Sequence, residues 1–140
     1  MTPEVETPQL IVQFCQRTLP KADWTHAAHL RVGLWHVLHF SPEEALSRLR
    51  TGIRLLNEAH GTPNTDQDGY HETITRFYVE WIGRFVRERG SSKSLEQLAA
   101  ELVEAAGDGK TPLRYYSPSL LFSPAARLCW VEPDVTPLEG

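Results

Sequence analysis

Apolar residues recur along this chain with a helical rather than an alternating period, and proline or glycine closes most of the periodic stretches. The spacing predicts a helix over residues 8–18, with Leu10, Ile11, Phe14 and Cys15 as a narrow apolar face and Pro20 as its stop. A second helix is predicted over 25–40, capped by Thr25 or Asp23. The third has the fullest start signal: Ser41 as N-cap, Pro42 at the first helical position and Glu44 closing a capping box. Its stripe is Ala45, Leu46, Leu49, Ile53 and Leu56, and Gly61 ends it. A polar loop follows. The fourth helix spans 70–89, with Asp68 or Gly69 as N-cap. Ile74, Phe77, Tyr78, Trp81, Ile82 and Phe85 recur on it with strong amphipathic spacing. A fifth covers 94–106.

The remaining segment is built differently. Two Ser-Pro pairs, at 117–118 and 123–124, read as N-cap plus first helical residue of two short helical turns. Leu120, Leu121, Phe122 and Trp130 make the segment too apolar for a free tail. Residues 113–140 are therefore expected to dock on the bundle as a capping segment, with an extended end around Pro133 and Pro137. No stretch alternates as a strand would. The expectation is an all-α single domain, a bundle of about five helices.

Six histidines punctuate this pattern. At 100° per residue His26, His29, Gly33 and His36 share one stripe of the second helix, beside its apolar face. A glycine in mid-helix costs about 1 kcal/mol relative to alanine, so Gly33 predicts close approach by another helix or a ligand. On the fourth helix His71 and Glu72 stand where a loop gives way to helix. With histidine at 75 this would be the zinc-protease pattern H-E-x-x-H; Thr75 breaks it. Histidines at i and i+3 can reach one ion, and His26, His29, His71 and Glu72 together would make a site for zinc or iron with room for water. Glu72 would then be a fourth ligand or the catalytic base, and Thr75 a group hydrogen-bonded behind His71 or Glu72. Each residue also has a purely structural reading, Glu72 as a first-turn carboxylate facing the helix dipole. Tyr116, Arg127 and His36 are candidate substrate contacts. His60 and His39 read as structural and surface residues, and Arg31 as a surface residue.

Composition narrows the classes. The 140 residues carry 14 basic and 18 acidic side chains and no basic block, which argues against nucleic acid. Cys15 and Cys129 lie in separate segments without a CxxC, which fits a reducing cytoplasm. The start MTPEVETPQL lacks the order of a signal peptide, and no apolar run approaches a membrane span. There is no G-x-S-x-G and no phosphate-binding glycine loop.

Three stretches carry a resemblance: THAAHLRV at 25–32, YHETITRF at 70–77 and YSPSLLFSPAARLCWVEPD at 116–134. Together they resemble a family of small bacterial proteins of unassigned activity. Its members pair H-x-x-H-[LV]-R with Y-H-E-T-[IL]-T and end in L-F-S-x-x-A-R-x-x-W-V-E-P-D. The resemblance covers about residues 24–138. It implies importance for His26, His29, His71, Glu72 and Thr75, and for Tyr116, Ser117, Arg127, Trp130, Glu132 and Asp134. Ala28 departs from it, standing where relatives carry aspartate in H-x-D-H.

Two functions follow from these residues. One is a small metal-binding protein, acting as a metal-dependent hydrolase or oxygenase-type enzyme on a small molecule. The other is a non-catalytic helical module whose histidines line an organic ligand pocket. Dimerisation through the docked C-terminal segment is a third possibility.

Overall fold

The computed structural model describes residues 6–90 and 92–138; the leader reading falls partly on residues 1–5, outside them. The described chain is all-helical: α1 (Thr7–Gln16), α2 (His26–His39), α3 (Pro42–Ala59), α4 (Glu72–Arg89), α5 (Leu95–Ala106) and the short α6 (Pro118–Leu121) and α7 (Pro124–Leu128). Two single 3-10 turns, Lys21–Asp23 and Thr111–Arg114, were not foreshadowed by the periodicity. No helix among the described residues is long and apolar enough to cross a membrane.

The helix starts follow side-chain chemistry. Thr25, Ser41, Ser94, Ser117 and Ser123 each accept a hydrogen bond from a first-turn amide. At α3 only half of the expected box forms: Ser41 caps the Glu44 amide, but the Glu44 carboxylate turns outward to Arg48. The complete capping box is at α5, between Ser94 and Gln97. The α4 expectation also needs correction. The helix starts at Glu72, and its N-cap is His71, not Asp68 or Gly69.

Helix α2 is the hub, packed by α1, α3, α4 and α5. On one side Phe14, Val32, Ala45, Leu49 and Leu56 form a core with α1 and α3. The edge of the Phe14 ring abuts the bare backbone of Gly52, where a Cβ would come within 2.5 Å of it. On the other side Leu30, Leu34, Ile82, Phe85 and Leu102 form a core with α4 and α5. A third cluster, centred on Phe77, Tyr116 and Leu121, fastens the C-terminal segment to α4. The docking expected from sequence is observed.

That segment is also tied by polar bonds. Thr73 Oγ1 donates to the Cys129 carbonyl at 2.9 Å and accepts from the Val131 amide. The tail folds back, with Asp134 accepting from both the amide and hydroxyl of Ser117. These bonds hold the Asp134 carboxyl below its ordinary value. The segment thus forms a strap across one end of the bundle, and this strap closes one wall of the cavity described next.

Candidate functional site

Between α2, α4 and the strap lies a cavity of about 360 Å³. Leu30, Ile53, Val79, Ile82, Leu113 and Leu121 give it apolar walls. Phe122, 60% exposed, also borders it. His26, His29, Thr75 and Tyr78 supply the polar side chains. Gly33 is on its floor, and a Cβ there would meet Ile82 at 3.2 Å. The close approach expected at Gly33 is observed, from a neighbouring helix and beside a ligand-sized space.

The two cavity histidines are oriented by backbone carbonyls. His29 Nδ1 lies 2.8 Å from the Thr25 carbonyl, one turn back, and the ring stacks on Trp24 with centroids 3.6 Å apart. A carbonyl only accepts, so Nδ1 carries the proton and Nε2 is an acceptor. Burial pushes the His29 imidazole down to about 4, with the Thr25 bond opposing and His26 adding a smaller depression. The ring is crowded by neighbouring protein atoms yet keeps exposed surface, and it borders the cavity. His29 is therefore neutral at pH 7. His26 Nε2 donates to the Ala106 carbonyl at 2.9 Å, at the end of α5, which makes Nδ1 its acceptor. Neither acceptor nitrogen has a hydrogen-bond partner among the described residues.

Tyr78 was legible only as part of an apolar face, yet it borders the same cavity. Its hydroxyl is buried without a partner of good geometry, as is that of Thr111 nearby. Burial raises the Tyr78 phenol to about 12, and Thr111 lies near enough to moderate this.

The other predicted site residues do not join His26 and His29. His71 spends both ring nitrogens on structure: Nδ1 accepts from the Ile74 amide and Nε2 donates to the Leu121 carbonyl at 2.7 Å. Glu72 points to a different hollow, where Arg50 grips it in a fork at 2.9 and 2.6 Å and Tyr70 donates to it at 2.7 Å. Burial alone would raise the Glu72 carboxyl, but the bonds from Arg50 and Tyr70 outweigh it and hold it below the ordinary value. A carboxylate so satisfied is a poor general base. Thr75 borders the cavity but donates to the His71 carbonyl rather than its ring. His36 is buried against Phe14, Trp35 and Phe40, with Nδ1 on the Val32 carbonyl. Tyr116 is fully buried and donates to the Val131 carbonyl. Arg127 reaches the Gly69 carbonyl, in the hollow of Glu72. None of His36, Tyr116 and Arg127 borders the His26–His29 cavity.

Three further histidine and arginine assignments complete the account. His39 is exposed and stacks on Trp35, and His60 closes the end of α3 by donating to the Leu19 carbonyl. Arg31 is buried, not superficial, with Nε donating to Thr7. The donor set also bears on zinc or iron. Among the described residues no three His, Cys, Asp or Glu side chains stand close enough to hold one ion. The four residues expected to bind a metal therefore do not fit one: two face the cavity and two are committed elsewhere. No family model matches the chain, and neither a curated protein nor a solved structure matches it.

Proposed function

We propose that the chain is a small-molecule-binding helical module whose ligand occupies the cavity between α2, α4 and the strap. The observation that carries this reading is the pair of acceptor nitrogens, His26 Nδ1 and His29 Nε2, without hydrogen-bond partners among the described residues, on side chains that border a mostly apolar space of about 360 Å³. Ligand pockets are mostly apolar with a few oriented polar groups, and this volume suits a small organic molecule. Among the described residues no lysine, arginine or carboxylate borders the cavity, and burial favours neutral His29, which suits an uncharged ligand. Two acceptors select a ligand with O–H or N–H donors. A planar ring would fit between the Leu30 and Ile82 side and the strap.

The test separates the acceptor from the apolar wall. His29→Phe keeps a ring on Trp24 and removes Nε2. Two probes of one shape, 2-naphthol with an O–H donor and 2-methoxynaphthalene without, are titrated into both proteins. The variant is expected to weaken 2-naphthol by about fivefold, the worth of one hydrogen bond of about 1 kcal/mol, and to leave 2-methoxynaphthalene unchanged. Equal affinities of 2-naphthol for both proteins would reject the acceptor role.

A further inference from the structure

A second hollow, of about 370 Å³, lies on the other side of the α4 start and has the opposite character. Arg50 and Arg54 from α3 and Arg127 from α7 border it, and among the described residues Glu72 is its one carboxylate. On a chain of formal net charge −4, this is a local excess of two positive charges.

The hydrogen bonds leave these cations partly unspent. Arg50 uses Nε and Nη2 on Glu72, which fixes the guanidinium and leaves Nη1. Arg127 uses Nη1 on the Gly69 carbonyl, which leaves Nε and Nη2. Arg54 has no carboxylate partner among the described residues. Two of the three cations are therefore paired with no acid among the described residues, and Arg54 stands exposed at the rim of the hollow. Guanidinium groups present paired N–H donors that match the oxygens of phosphate or carboxylate. Leu128 and Trp130 add an apolar wall on the strap side.

We propose that this hollow is an oxyanion site, binding a phosphate or carboxylate group of a small organic ligand through Arg50, Arg54 and Arg127. Glu72 acts there as a positioning residue that locks Arg50, which accounts for its fork better than a role as base. The site is separate from the uncharged-ligand cavity and does not depend on it.

The test uses the whole chain and two plain anions, inorganic phosphate and malonate, each compared with chloride at matched ionic strength. Binding is read from arginine Nε–H and backbone amide shifts. Saturable shifts at Arg54, Arg127 and Cys129 with either anion, and not with chloride, are expected. Arg54→Gln, which breaks no hydrogen bond or ion pair among the described residues, should raise Kd by about tenfold. Arg127→Gln should do the same while the Gly69 contact is lost. Shifts that chloride reproduces, shifts that fail to saturate, or an Arg54→Gln variant that binds as tightly as the parent would each overturn the site.

Discussion

Replacing His71 with alanine should destabilise the protein by about 3 kcal/mol in urea denaturation. The sum has three parts. Loss of a side-chain N-cap costs about 1 kcal/mol. The Leu121 carbonyl, buried with the strap, loses its donor at about 1–3 kcal/mol. A buried ring leaves a hole beside Leu121, which adds to both. His71→Asn should recover about 1 kcal/mol, because asparagine caps well but does not reach Leu121. A loss of less than about 1 kcal/mol for His71→Ala, the size of an ordinary surface change, would contradict this role. The experiment also separates two accounts of the residue. A metal ligand would lose its ion and leave the metal-free fold as stable as before, whereas a cap and strap anchor weakens the fold itself.

The second large effect is on acid stability. Burial lowers the imidazoles of His36 and His71 below the ordinary 6.5, opposed in each by a hydrogen bond to a carbonyl. Arg48 and His39 push His36 lower still, and Arg127 does so for His71. The unfolded chain, with histidines at the ordinary value, then binds more protons than the folded one below pH 6.5. Stability is fully present above that pH and falls as pH drops toward the folded values. Each histidine adds at most about 1.4 kcal/mol per pH unit, so about 2.7 kcal/mol per unit is the upper limit for the pair. The window to measure is pH 6.5 to 5, before carboxylates such as Glu72 begin to protonate. Denaturation curves for the parent and a His36→Gln/His71→Asn variant give the contrast: a steep parent and a flatter variant. Identical slopes in the two proteins would refute the assignment of the protons.

How far the sequence reaches can be seen at particular residues. Ser41, Ser117 and Ser123 announced helix starts because a cap is a local interaction, decided within four residues. Gly33 announced close packing for the same reason: only a missing side chain permits it. The spacing of His26 and His29 on one stripe was enough to put both on one cavity. The partners of His71 and Glu72 were not legible. Leu121 is fifty residues from His71 and Arg50 twenty-two from Glu72, and neither pairing leaves a periodic trace. Adjacent in sequence, His71 and Glu72 part at the α4 start: His71 anchors the Leu121 carbonyl of the strap, and Glu72 enters the hollow of Arg50. His36 continued the polar stripe on paper, but α1 and Phe40 cover that end of α2 and bury it. Tyr78 was hidden because a tyrosine on an amphipathic face scores as apolar; its hydroxyl is the signal, and an unpaired buried hydroxyl shows only in three dimensions.

The central claim, an uncharged donor-bearing ligand in the α2–α4–strap cavity, is tested most directly by amide chemical shifts during a 2-naphthol titration. The comparison is parent against Gly33→Leu, whose new side chain would fill the cavity floor beside Ile82. Saturable shifts centred on Gly33, Thr75 and Gly109 in the parent, with position 33 and its neighbours silent in a folded variant, are the predicted result. No saturable shift at these positions in the parent, or the same shifts at Thr75 and Gly109 in Gly33→Leu, would contradict it.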